Sequence, residues 1–172
     1  MSSNYLDRAK FAYAEINAYK KKHAAEASGK GGESESLKYQ SKLRSYAKSV
    51  PSYIKTNGLL ATMAFIDTKK IKKREANKNK QSENNYDGEA YQCLYDLIAG
   101  WSVQTVLARY KNPKAGTGAS AGYFKSDFSN MTEVLANLSV SEYKNTEREI
   151  LNLFCWVRRF AEGELEGGSE EE

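Results

Sequence analysis

Few side chains in this sequence could make or break bonds, and their spacing does not assemble them. His23 is the only histidine, so a Ser-His-Asp relay or a Cys/His zinc site has almost nothing to build with. Cys93 and Cys155 are the only cysteines. Each lies inside an apolar-periodic segment far from the other, as buried thiols of an intracellular protein do. Glu147 and Glu149 stand two apart on a predicted helix and diverge, and Asp67, Asp87 and Asp96 form no cluster, so no Mg²⁺ pair is expected. Gly116-x-Gly118-x-x-Ala121 matches a loose dinucleotide fingerprint. That fingerprint needs a buried strand before it, and Arg109-Tyr110-Lys111-Asn112-Pro113 is not one, so the segment reads as a flexible loop. The expectation is a chain with no catalytic residue, no metal and no cofactor.

What the sequence does supply is cation. The formal charge of the 172 residues is +4, but every Lys and Arg precedes position 162, whereas Glu162, Glu164, Glu166, Glu170, Glu171 and Glu172 follow Ala161. A basic body stands before an acidic tail. Such a body favours polyanions, nucleic acid among them, although scattered lysine is also ordinary solvated surface. Two regions concentrate the charge. Lys69 to Lys80 is dense in lysine against the single acid Glu75, with little apolar content to fix it, and reads as a mobile linker over about 70–85. On the last predicted helix Lys144, Arg148, Arg158 and Arg159 fall within an arc of about 100°. Leu151 and Cys155 project among them, which suits a surface meeting another macromolecule, with a plain solvated face as the alternative. Lys42, Lys48 and Lys55 on an earlier helix join the candidate contact residues.

Helices must position these groups, because no segment reads convincingly as strand. Tyr5, Ala9, Ala12, Ile16, Tyr19, His23 and Ala27 make one helical stripe, closed by the polar run Ser28 to Ser36. A second helix through Leu37, Leu43, Tyr46 and Ala47 is expected to stop near Ser49, since Val50 precedes Pro51. Pro51 would then open a short piece reaching Asn57-Gly58. Leu59 to Ile66 carries no charge and points apolar groups in every direction, so it is expected to be the central helix, with Phe65→Ala costing roughly 3 to 5 kcal/mol. Tyr86 to Tyr110 restores the helical period, the glycine-rich loop 111–122 breaks it, and a short helix covers Met131 to Asn137. Ser139-x-x-Glu142 has capping-box spacing and opens the last helix, whose apolar face holds Tyr143, Ile150, Leu153, Phe154, Trp156, Val157 and Phe160. The fold class is all-α: a single-domain bundle of five or six helices over 1–161, followed by an acidic disordered tail, 162–172. At this length folding buries roughly 70% of the unfolded chain's surface without help from disulfides. The first residues lack the apolar core of a signal peptide and no later run approaches the ~20 residues of a membrane span, so a soluble cytoplasmic protein is expected.

Two blocks carry a resemblance. KYQSKLRSYAKSVPSYIKTNGLLATMAFIDTK at 38–69 and SEYKNTEREILNLFCWVRRFAEGEL at 141–165 resemble the small subunit of the type III-B CRISPR effector, the Cmr complex. The matching positions are Pro51, Ile54, Asn57, Gly58 and Leu59; Thr62-Met63-Ala64-Phe65; Tyr143-Lys144; Thr146; and Trp156-Val157-Arg158-Arg159-Phe160-Ala161. Met63, Lys144 and Val157 depart mildly from the family's leucine, arginine and leucine. Arg148 stands where the family's Thr-x-Glu has its acid, and Glu149 follows one step later. The resemblance implies a compact helical protein without catalysis of its own. It implies copies stacked as a minor filament beside the backbone subunits that hold guide RNA, contact with the large head subunit, and help in accommodating target RNA. Under it Lys144, Arg148, Arg158, Arg159, Lys42, Lys48 and Lys55 become candidate RNA contacts. A helical protein-binding adaptor with no nucleic-acid contact stays open beside this.

Overall fold

The computed structural model describes residues 3–26, 32–70, 85–107 and 130–167. Among them are six helices and no strand: α1 Ser3–Glu26, α2 Gly32–Asn57, α3 Leu59–Lys69, α4 Tyr86–Gln104, α5 Met131–Ala136 and α6 Val140–Glu164. Most of the basic linker and the whole glycine-rich loop 111–122 lie outside the described residues, as do 168–172 of the acidic end. The boundary expected at Ala161 falls inside α6, and Leu165 just past that helix is 3% exposed.

A central apolar helix is present, but it is α4 and not the segment after Asn57-Gly58. Asn85 caps α4 by accepting the Gly88 N–H at 2.8 Å. The helix then buries Ala90, Leu94, Tyr95, Leu97, Ile98, Ala99, Trp101 and Val103, directions too varied for one stripe, and it packs on α1, α2, α3 and α6. Helix α3 spans 11 residues and sits at the edge against α2, α4 and α5. It buries only Leu59, Thr62, Met63 and Ile66, the i, i+3, i+4, i+7 set of a single face. Phe65 is 41% exposed and rests against Tyr53 and Tyr91, ring centroids 6.2 and 5.7 Å away. A segment without charge is therefore not a segment without a solvent side, and the large cavity cost expected for Phe65→Ala is withdrawn.

Pro51 also behaves differently from expectation, because α2 runs through it without a break. Proline removes one backbone donor and crowds the preceding turn. Here Ala47, Val50 and Ile54 on both sides of it are buried in the core, and that packing holds the helix on course. The real corner comes at Gly58, whose φ is 83°. Gly58 N–H closes α2 on the Ile54 carbonyl at 2.8 Å, and α3 starts at the next residue.

The start of α3 has no side-chain cap of its own. Its first donors are satisfied from α6 instead: Leu59 N–H donates to Glu147 Oε2 at 2.9 Å and Leu60 N–H to Tyr143 Oη at 3.0 Å. At the other end of α6, Glu166 N–H donates to Gln40 Oε1 of α2 at 3.2 Å. Helices α2 and α6 are thereby held antiparallel. On the far side of α6, α1 is fixed by the Arg8–Glu149 pair, with guanidinium to carboxylate contacts of 2.9 to 3.1 Å. Glu147 and Glu149 do diverge, each to a different helix.

Two outcomes check this arrangement. Met63→Ala should lower stability by about 2 to 5 kcal/mol in urea denaturation, while Phe65→Ala costs about 1 kcal/mol through lost ring contacts; the reverse ranking would place Phe65 in the core. Gly58→Ala should destabilise by about 1 to 3 kcal/mol, because a Cβ there is held at positive φ and meets Tyr143 Oη at 3.0 Å. An unchanged melting temperature for that variant would mean the corner is not built this way.

Candidate nucleic-acid interface

The capping box forms as its sequence predicts. Ser139 Oγ accepts the Glu142 N–H at 3.4 Å, and Glu142 Oε2 accepts the Ser139 N–H at 2.8 Å. This fixes where α6 begins and so the rotation of everything after it. Thr146, Ile150, Leu153, Phe154, Val157 and Ala161 turn into the core. Lys144, Arg148, Arg158 and Arg159 are all exposed on the other side, with Leu151 half-buried and Cys155 exposed between them. None of the four cations pairs with a carboxylate among the described residues. Arg148 donates only to Asn145 Oδ1, at 3.1 Å.

The earlier candidates on α2 divide between two sides of the molecule. Lys48 Nζ lies 3.8 Å from Glu162 Oε1 of α6, which places it beside the C-terminal end of the cationic row. Lys55 follows Lys48 by seven residues and so shares its face within about 20°. With α2 and α6 antiparallel, Lys55 runs alongside the N-terminal half of the row. Lys42 is about 120° away on α2 and faces α4, where its Nζ is 3.1 Å from Asp87 Oδ1. Tyr46 Oη donates to the same oxygen at 2.6 Å. That hydrogen bond first, and Lys42 after it, holds the Asp87 carboxyl below its usual range. Lys42 belongs to this α2–α4 contact and not to the α6 row.

An aromatic edge on the α1 side of the row was not read from the sequence. Tyr5 meets Trp156 edge-on, centroids 5.0 Å apart at 74°, and Tyr13 meets Phe160 at 5.3 Å and 71°. Trp156 and Phe160 lie nearly parallel, 5.6 Å apart at 20°. The Arg159 guanidinium sits 5.4 Å from the Trp156 ring, within cation–π reach, and so joins row and rings. Spacing puts Tyr5 on the inward stripe of α1, yet it is 59% exposed. Trp156 and Phe160 are half-buried, and Val157, Phe154 and Leu153 do more of the anchoring. The available signal was Tyr13, which falls off the inward stripe of α1 with no charge to explain its exposure.

A family model described as CRISPR-associated protein (Cas_Cmr5) matches residues 5–164. The chain belongs to that family. It is thus a small subunit of a type III-B Cmr complex, and the resemblance carried by 38–69 and 141–165 is confirmed. Cas_Cmr5 membership makes it a component of CRISPR defence and places it in a family whose role in the complex is structural. In this Cas_Cmr5 protein the two family blocks also touch: the Leu59 and Leu60 N–H groups of the first donate to Glu147 and Tyr143 of the second. Among the described residues no three His, Cys, Asp or Glu side chains gather as metal ligands do, and no helix is long and apolar enough to cross a membrane.

The two thiols of the chain give a simple check on this surface. The expectation of two buried thiols fails at Cys155, which is exposed on the outward face of α6, while Cys93 is half-buried and desolvation pushes its thiol above the ordinary range. A maleimide at neutral pH should therefore modify Cys155 of the native protein faster than Cys93, with denaturant bringing the two rates together, read by peptide mass. Equal labelling of both would mean that the cationic row is not the outward face of α6.

Proposed function

We propose that this subunit serves the Cmr complex without catalysis of its own, as a cytoplasmic structural component that meets target RNA through the outward face of α6. Lys144, Arg148, Arg158 and Arg159 meet phosphates from α6, Lys55 flanks them from α2, and Lys48, paired with Glu162, closes the end of the row. The observation that carries this reading is the row of four exposed cations with no carboxylate partner among the described residues, where Lys20, Lys22, Lys48 and Lys70 each have one. Contacts of this kind hold a strand without reading its sequence. Copies of the subunit stack as a minor filament beside the guide-RNA-holding backbone subunits and toward the large head subunit. The helical body, which runs through the end of α6 at Glu164, performs this role, and the basic linker and the acidic residues after it are accessory to it.

Leu151 and Cys155 within the row favour a second reading, in which the face docks on protein. One experiment separates the two. Each phosphate contact adds about 0.7 to the slope of log affinity against log salt for a single strand. Arg158→Glu with Arg159→Glu should weaken target-RNA retention by the reconstituted complex and flatten that slope, with helix content and assembly unchanged. Neutralising Lys72, Lys73 and Arg74 should do less. If the helix variant keeps its RNA but drops out of the complex on size exclusion, the face is a protein contact and the adaptor reading holds.

A further inference from the structure

The ring cluster of α1 and α6 has no role in a surface that binds phosphates alone. Four aromatic side chains stand together there, and Tyr5 and Tyr13 remain 59% and 46% exposed. Large rings left in water beside a cationic row are what single-strand binding surfaces combine, because every base has a face that stacks on an aromatic ring. The layout also separates the two tasks. By the helical period Arg159 lies about 60° and Trp156 about 120° around α6 from Lys144, so the surface passes from unpaired cations, through Arg159, to rings. On the ring side Arg8 is neutralised by its bidentate pair with Glu149 and Lys20 is paired with Glu164, while Lys10, exposed three residues before Tyr13, has no row of cations around it. Phosphate is therefore drawn more strongly to the row than to the rings. The other ring group, exposed Tyr53 and Phe65 with half-buried Tyr91 and Tyr46, borders Lys42, whose charge Asp87 already balances, and Lys69, and among the described residues these two lysines do not extend into a row.

We infer that Tyr5, Tyr13, Trp156 and Phe160 stack unpaired bases of the strand whose phosphates the α6 row holds, so that this face takes single-stranded nucleic acid in preference to a duplex. The inference rests on the RNA-contact reading above and adds bases to it. In a duplex the faces of the bases are already stacked on one another, whereas unpaired bases can be splayed onto side-chain rings. Trp156 and Phe160 supply nearly parallel planes, and Tyr5 and Tyr13 stand across them as edges.

The test compares strands of equal phosphate number binding to the full chain: an oligoadenylate, a chain of abasic tetrahydrofuran units, and a duplex. The oligoadenylate should bind at least about fivefold more tightly than the abasic chain and more tightly than the duplex. It alone should quench Trp156 emission, since the other tryptophan, Trp101, is 3% exposed. Tyr5→Ala with Tyr13→Ala should bring oligoadenylate toward the abasic chain while leaving the salt slope unchanged, and the corresponding phenylalanine pair should keep the wild-type preference. Equal binding of oligoadenylate and abasic chain by the wild type overturns the base contact and leaves the phosphate contact standing. Failure of every strand to bind overturns both readings. If the alanine pair keeps the preference but weakens assembly of the complex, the rings are a protein contact and the inference falls.

Discussion

The start of α3 cannot satisfy its own backbone. Gly58 at positive φ turns the chain so sharply that no neighbouring side chain reaches back to cap the first N–H groups, and donors left unpaired away from water are costly. Glu147 and Tyr143 answer them from a helix more than eighty residues later in the chain. A carboxylate at a helix N-terminus is also favoured by the helix dipole. The corner between α2 and α3 thus has its proper form only when α6 is in place, and α6 has its rotation fixed by the corner. Because one side of α6 is committed to this joint and another to α1, the side bearing Lys144, Arg148, Arg158 and Arg159 can only face outward.

The remaining helices follow from that frame. Helix α4 fills the space between α1, α2, α3 and α6, and it can do so because its apolar groups are spread around the helix. Its carboxylates are handled at the rim. Glu89 accepts from Lys22 at 2.6 Å and Asp87 is shared by Tyr46 and Lys42, while burial raises the pKa of Asp96. Tyr95 reaches from α4 to accept the Met131 N–H at 2.9 Å, so that α5 too depends on a donor being met from elsewhere. A common device, a polar side chain on one helix answering the open end of another, locates both short helices.

Local signals were legible in the sequence, and signals that depend on neighbours were not. The capping box of Ser139 and Glu142 needs only its own four residues, and it was read correctly. The inward faces of α1 and α6 were also legible, because Ala12, Ile16, Ile150 and Val157 repeat at helical spacing. Pro51 misled because proline's local preference was weighed without the burial of Val50 and Ile54 that overrides it. Phe65 misled for the opposite reason: an uncharged run says which residues could be buried, and only the neighbours decide which are. In the candidate interface, the shared exposed face of the four α6 cations was legible from spacing. The division of Lys48 and Lys55 from Lys42 needed the antiparallel pairing of α2 with α6, and the Tyr5 and Tyr13 edge needed α1 laid against α6.

Glu162 sits five helical turns after Lys144, in the same line as Lys144 and Cys155. Its carboxylate is taken up by Lys48. The positive row on α6 therefore has a closed end, where the Glu162–Lys48 pair carries no net charge. Its usable length runs from Lys144 to Arg159, about 22 Å at 1.5 Å per residue. A stacked strand sets down a phosphate about every 3.4 Å, so on the proposed RNA-contact reading one copy of this subunit would cover about six phosphates. On that reading a longer stretch of strand needs surfaces laid end to end.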